Sequence, residues 1–134
     1  MSRGLGDTTL FIAREAHRPL DSAALPEEIG VSVITIGELL KGIEKLPDSK
    51  RKETLREWLN NDLLVRFSGR ILVIDGPVMQ TWGALMGRLE REGRPLPAMD
   101  SLIAALALHH HCCLATRNED DFRDTGVTLV NPWR

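Results

Sequence analysis

The sequence predicts an α/β domain of three layers, a parallel sheet flanked by helices, formed by residues 1–134 as one unit. Short β-branched or apolar runs alternate with longer stretches whose apolar residues recur at helical spacing, the pattern of strands each followed by a helix that crosses back over the sheet. No linker, repeat or low-complexity segment interrupts that alternation. A chain of 134 residues is also long enough to bury a core without disulfides or a structural metal.

Taken in order, Gly4 and Gly6 make the segment before Asp7 poor strand material, and Leu10-Phe11-Ile12-Ala13 leads into a helix reaching about Ala16. Pro19 to Glu28 reads as a loop, and Val31-Ser-Val-Ile-Thr35 as a buried strand. Thr35-Ile-Gly-Glu38 has the form of a capping box opening a helix with Leu39, Leu40, Ile43 and Leu46 on its apolar face, which Pro47 ends. Asp48 is placed to cap a third, amphipathic helix with Lys50, Arg51, Lys52, Glu53, Arg56 and Glu57 toward water and Leu55, Trp58, Leu59, Leu63 and Leu64 inward. Arg70-Ile-Leu-Val-Ile-Asp75 is the clearest strand, and Gly76-Pro77 opens a long helix ending near Gly93. The central helix from Pro97, a strand over Cys113–Thr116 and a last strand over Val127–Val130 complete the domain.

Composition narrows the function classes. Hydrophobic content of 43% and charged content of 27% are those of a globular protein. A net charge of -2 gives no general attraction to a polyanion, so nucleic-acid binding would need local Lys/Arg clusters or a bound cation. No apolar run approaches the roughly 20 residues of a membrane span, and Met1-Ser-Arg-Gly-Leu-Gly lacks a signal-peptide core. Cys112 and Cys113, the two cysteines, sit together on an apolar strand, which points to buried thiols in a reducing, cytoplasmic setting.

Three acids fall at strand-to-helix junctions: Asp7, Glu38 and Asp100, with Asn118 and Asp121 just beyond the fourth strand. In an open parallel sheet these junctions share the carboxyl edge, where ligands bind. Each residue also has an ordinary structural role. Asp7 and Asn118 are N-cap types, and the helix dipole favours Asp100 in a first turn. The set asks for more: carboxylates about 4 Å apart repel by roughly 1 to 4 kcal/mol per pair between water and protein-surface dielectrics, so a fold that gathers them needs compensation. A hard divalent cation, Mg²⁺ or Mn²⁺, is the usual compensation, taking carboxylate oxygens and substrate phosphate as ligands. Thr8, Thr35 and Thr116 lie beside these acids as donors, and Arg117 as either a phosphate contact or a solvated arginine. Arg14, Arg18, Lys41 and Lys45 are candidates to rim the crevice, although charge on exposed helix faces is ordinary.

Other chemistries fit less well. His109-His110-His111 at a helix end point in three directions and suit a helix C-terminus better than one ion. Trp82, Met79 and Met86, at helical spacing, read as core rather than as a platform for nucleobases. A haloacid-dehalogenase-like phosphatase needs Asp-x-Asp, whereas Thr8 and Thr9 follow Asp7. Dinucleotide binding lacks its Gly-x-Gly-x-x-Gly, so no organic cofactor site is expected. A non-catalytic module whose acidic pocket binds a basic peptide or antitoxin segment stands as the alternative.

Asp7-Thr-Thr, Ser32-Val-Ile-Thr-Ile-Gly-Glu38-Leu, Phe67-Ser-Gly-Arg70-Ile-Leu, Pro97-Ala-Met-Asp100-Ser-Leu-Ile-Ala-Ala, Ala115-Thr-Arg-Asn118-Glu-Asp-Asp121-Phe and the closing Asn131-Pro-Trp, in that order, resemble a PIN-domain protein of the VapC toxin type. The resemblance implies an endoribonuclease, Mg²⁺- or Mn²⁺-dependent, acting as the toxin of a toxin-antitoxin pair. It further implies an RNA substrate, a VapB-type antitoxin and a homodimer. By motif, Asp7, Glu38 and Asp100 match the family's acidic metal ligands. Asn118 stands where many relatives have a fourth acid, with Asp121 as its possible substitute. Its carbonyl can ligate but brings no charge. The amphipathic stripe of Leu39, Leu40, Ile43, Leu55 and Trp58 is either a groove for a partner helix or ordinary core.

Overall fold

The computed structural model describes residues 3–133. Among these, five parallel strands, β1 (Arg3–Gly6), β2 (Glu28–Ser32), β3 (Ile71–Leu72), β4 (Cys113–Ala115) and β5 (Leu129–Val130), stand in the order β3-β2-β1-β4-β5. The helices are α1 (Thr8–Glu15), α2 (Val33–Glu44), α3 (Lys50–Glu57), α4 (Leu64–Arg66), α5 (Gly76–Arg91), α6 (Ala98–His109) and α7 (Glu119–Phe122). A π-helical turn, Trp58–Leu63, joins α3 to α4. Two cores result, one on each side of the sheet. Leu5 and Leu114 project toward α5 and α6 and pack with Val78, Leu85, Leu89, Ile103 and Leu106. Ile29, Val31 and Ala115 project the other way, onto Leu10, Phe11, Leu39, Ile43, Leu59 and Leu63.

β1 is central, pairing Gly6 with Val31 on one side and with Ala115 on the other. Its glycines, which count against a strand by propensity, are required by packing. A Cβ at Gly4 would lie 2.2 Å from Pro26 Cγ, and one at Gly6 would lie 2.7 Å from Leu10 Cδ2 and 2.8 Å from Phe11 Cε2. Side chains alternate along a strand, so Leu5 fills one core while the two glycines let α1 and the Pro26 loop close on the opposite face.

Several element boundaries differ from the sequence reading. The second strand ends at Ser32, whose hydroxyl accepts from Thr35 N at 3.0 Å, so Ser32 rather than Thr35 caps α2 and Glu38 lies in the second turn. The expected strand over 70–75 shrinks to Ile71–Leu72, because β2 offers it Val31 and Ser32 before turning into α2. Ser49, not Asp48, caps α3 through Lys52 N. Lys52 is 7% exposed instead of facing water. Its ammonium donates to Glu44 O at 3.3 Å and Leu46 O at 3.1 Å, carbonyls at the end of α2. Leu40, expected inside, is an exposed side chain of α2. Trp82 and Met86 are partly buried as expected, Trp82 donating to Ser101 Oγ at 2.8 Å, but Met79 is exposed. Cys112 and Cys113 are free thiols, Cys112 buried and Cys113 half-buried.

Candidate active site

Strand order reverses at β1: the chain adds β2 and β3 on one side, then returns to place β4 and β5 on the other. Open parallel sheets bind ligands at the carboxyl ends of strands beside such a reversal, and Asp7 and Thr116 follow β1 and β4 there.

Asp7 is 5% exposed and caps α1. Its Oδ1 accepts from Leu10 N at 3.2 Å and from Thr9 Oγ1 at 2.6 Å. Its Oδ2 accepts from Thr116 Oγ1 at 2.5 Å, and Asn118 N donates to that same hydroxyl oxygen at 2.9 Å. Three donors therefore fix a buried carboxylate, and the relay from Asn118 through Thr116 polarises the shortest contact. Glu38 comes from α2. Its Oε1 accepts from Thr8 Oγ1 at 2.7 Å, and Thr8 lies 3.3 Å from Thr35 Oγ1, which in turn contacts Ser32 Oγ at 3.2 Å.

Asp100 enters from the first turn of α6. Its carboxyl is pushed above the usual carboxylate range, by burial first and then by the negative charges of Glu38, Asp121 and Asp7. Residues 38, 121 and 7 come from three separate elements, and each adds repulsion at Asp100. Among the described residues no hydrogen-bond donor answers the Asp100 carboxylate. Nor do any three Asp, Glu, His or Cys side chains close into a metal-holding group. The acids thus converge without collapsing onto one another. Their hard oxygen donors and their unrelieved repulsion at Asp100 fit a hard divalent cation in kind.

Of the expected site residues, Asp7, Glu38, Asp100 and Asp121 meet electrostatically. Asn118 joins through its backbone N–H and stands at the N-cap of α7 as expected, although its side chain makes no capping bond there. Thr8 and Thr116 donate to carboxylates as anticipated, whereas Thr35 sits behind Thr8 instead of touching an acid. Thr9 was the residue that sequence reasoning passed over, although it stands in the same Asp-Thr-Thr run. Arg117 lines a shallow cleft of about 300 Å³ with Asn118 and Asp121. Arg14 lies elsewhere, in a cleft with His17, Trp58 and Arg66. His109 contacts Thr81 Oγ1 at 3.2 Å, and the three consecutive histidines form no metal-holding group among the described residues.

A five-stranded parallel sheet of this order with an acidic carboxyl edge defines a class, and the sequence matches that class directly. The PIN domain model covers residues 7–127, and the chain belongs to the PIN-domain family. Within it, the chain is 37% identical over 114 residues to a protein named Toxin FitB from Neisseria gonorrhoeae, covering 85% of this chain and 81% of that one. It is 36% identical over 118 residues to Ribonuclease VapC4 of Mycobacterium tuberculosis, covering 88% of each. The fold superposes on a crystal structure of FitAcB from Neisseria gonorrhoeae with a TM-score of 0.87 at 32% identity, covering 97% of this chain and 98% of that one.

Proposed function

We propose that this chain is a metal-dependent endoribonuclease and the toxin of a VapBC-type toxin-antitoxin pair. The observation that carries the reading is Asp100, whose carboxyl is pushed up by burial and then by the charges of Glu38, Asp121 and Asp7, with no hydrogen-bond donor to it among the described residues. Relatives named as VapC ribonucleases and as the toxin FitB support the same reading.

Asp7, Asp100 and Glu38 would hold Mg²⁺ or Mn²⁺, with Asp121 or Asn118 completing the surround. When bound, the ion supplies an acidified water and neutralises charge gathering on the phosphate. The chain's own groups do the rest. Thr9 and Thr116 fix Asp7 so that its lone pairs do not reorient during turnover. Thr8 aims Glu38, whose second oxygen is left to orient the attacking water or take its proton. In-line attack breaks the P–O3′ or P–O5′ bond; loss of the 3′ oxygen as a hydroxyl leaves a 5′-phosphate, the outcome the family likeness favours.

An antitoxin has a seat to occupy. Ile12, Leu39, Ile43, Leu55 and Trp58 line a groove of about 200 Å³ among α1, α2 and α3. Solved relatives are described as a member of the VapBC family of toxin-antitoxin systems and as a toxin-antitoxin complex, which supports an antitoxin partner; the apolar lining suits a helix of it. A homodimer and a cytoplasmic location belong to the same proposal. No helix among the described residues is long and apolar enough to cross a membrane.

The test is cleavage of total RNA by protein free of contaminating nucleases, with Mg²⁺, with Mn²⁺ and with EDTA, the ends of the products being mapped. Cleavage that EDTA stops and Asp100→Asn abolishes is the expected result. Mn²⁺ binding by calorimetry without any turnover would instead make the acidic pocket a binding module.

A further inference from the structure

Sharing Thr8 and Glu38 with the acidic site, a cleft of about 590 Å³ runs away from it along α2. It is lined by Thr8, Ile34, Gly37, Lys41, Lys45 and Met99, among others. Positions 34, 37, 38, 41, 42 and 45 form one stripe along α2, since each is three or four residues from the next or adjacent to it. The stripe begins at an acid of the site and ends, about 10 Å further along the helix axis, at Lys45.

Two features set this stripe apart from an ordinary solvated face. Lys41 and Lys45 enter no ion pair among the described residues, because the one acid of the last turn, Glu44, turns away and takes Arg56 in a two-pronged contact at 2.8 and 2.9 Å. Gly37 and Gly42 occupy helix-interior positions where an added Cβ would meet nothing within 4 Å. Gly83 and Gly87 in α5 are equally unhindered, so the glycines do not by themselves mark a site; here they leave the floor of the cleft open. Met99, 51% exposed beside Asp100, and the half-buried Ile34 supply apolar surface on the two walls.

Cations at one-turn spacing, an apolar wall and a direct opening onto the catalytic acids suit an extended polyanion carrying flat apolar groups. We propose that this cleft is a single-stranded RNA track: Lys41 and Lys45 hold successive phosphates on one side of the scissile bond, and Met99 and Ile34 pack against an unstacked base. The proposal rests on the nuclease reading above and adds to it a direction and a set of residues for substrate binding. Lys41 and Lys45 lie about 6 Å apart along the axis, a reach suited to neighbouring phosphates of one strand. Phosphate contacts along one strand, with an unstacked base against Met99 and Ile34, suit a single-stranded segment.

The experiment measures steady-state cleavage of a fluorescein-labelled oligouridine by the full chain, and its binding by anisotropy in an Asp100→Asn background where turnover is stopped. Lys41→Gln and Lys45→Gln should each raise KM about three-fold with kcat unchanged, and each should flatten the dependence of log affinity on log salt by about 0.7. Gly42→Leu, which fills the cleft without altering charge, should raise KM while leaving the salt slope as it was and the melting temperature no lower. Lys50→Gln, an equal change of net charge outside the cleft, should move neither quantity. If the wild type cleaves RNA but both cleft-lysine variants keep its KM and salt slope, the track is refuted and the nuclease reading stands. An equal loss in Lys50→Gln refutes it as well, by assigning the effect to net charge. A wild type that neither cleaves nor binds the oligonucleotide, with Mg²⁺ or Mn²⁺ present, refutes both.

Discussion

The two flanks of the acidic edge are built differently. On the β1 side, Asp7 is buried, caps a helix and receives three hydrogen bonds. On the α6 side, Asp100 is half-buried, receives none among the described residues and feels three neighbouring negative charges. One carboxylate is held by the protein itself; the other is left to be held by what binds. The contrast teaches that this fold places its donors around one anchor and leaves the repulsion at the opposite side unanswered, which under the proposed function would favour cation capture.

The comparison is broken most severely at Asp100. Asp100→Asn should lower cleavage by about three orders of magnitude, the scale of losing several kcal/mol of transition-state stabilisation, as read by initial rates on RNA. The same substitution should raise the melting temperature of the EDTA-treated protein at neutral pH. The sign follows from the raised carboxyl: the folded state favours the protonated form, so that contribution to stability is complete at acid pH and is lost as pH rises through the folded-state value. The gain from Asp100→Asn should therefore shrink toward acid pH, and Mn²⁺ should raise the melting temperature of the wild type far more than that of the variant.

Next in size is Thr116→Val. It removes the donor to Asp7 Oδ2 and the acceptor for Asn118 N at once, and should cost about 1 to 3 kcal/mol in denaturant unfolding. Activity should fall by about 10 to 100-fold, as for other residues that orient a metal ligand. Thr8→Val should do less. It frees Glu38 without burying an orphaned group, so stability should change by about 1 kcal/mol or less while kcat falls more than KM rises. If Thr8→Val proves as damaging as Thr116→Val, Glu38 is held as firmly as Asp7 and the donors are not concentrated on one anchor.

Much of this was legible in the chain. Asp7 could be singled out because an acid just after a strand shares the carboxyl edge of a parallel sheet. Glu38, in the second turn of α2, and Asp100, on a helix that follows α5 rather than a strand, do not stand at strand-to-helix junctions as expected, and it is their motifs that pick them out. What the sequence concealed depends on contacts between distant segments. Gly4 and Gly6 oppose a strand by propensity, yet Pro26, Leu10 and Phe11 leave room for no other residue. Lys52 reads as a solvent-facing lysine until the carbonyls ending α2 are brought over it. The shortened third strand reflects the length of its partner rather than its own composition. The stripe of Lys41 and Lys45 was visible as charge, but only the turning away of Glu44 and the proximity of Met99 distinguish it from Arg14, which lies in a different cleft.

The hydroxyl that steadies Asp7 belongs to Thr116, 109 positions later in the chain. Asp7 is therefore made long before its distant partner, and β4 and β5 join the sheet only after α6 has been made. A fragment ending before β4 lacks both the strand that flanks Asp7 and the donor that fixes its carboxylate.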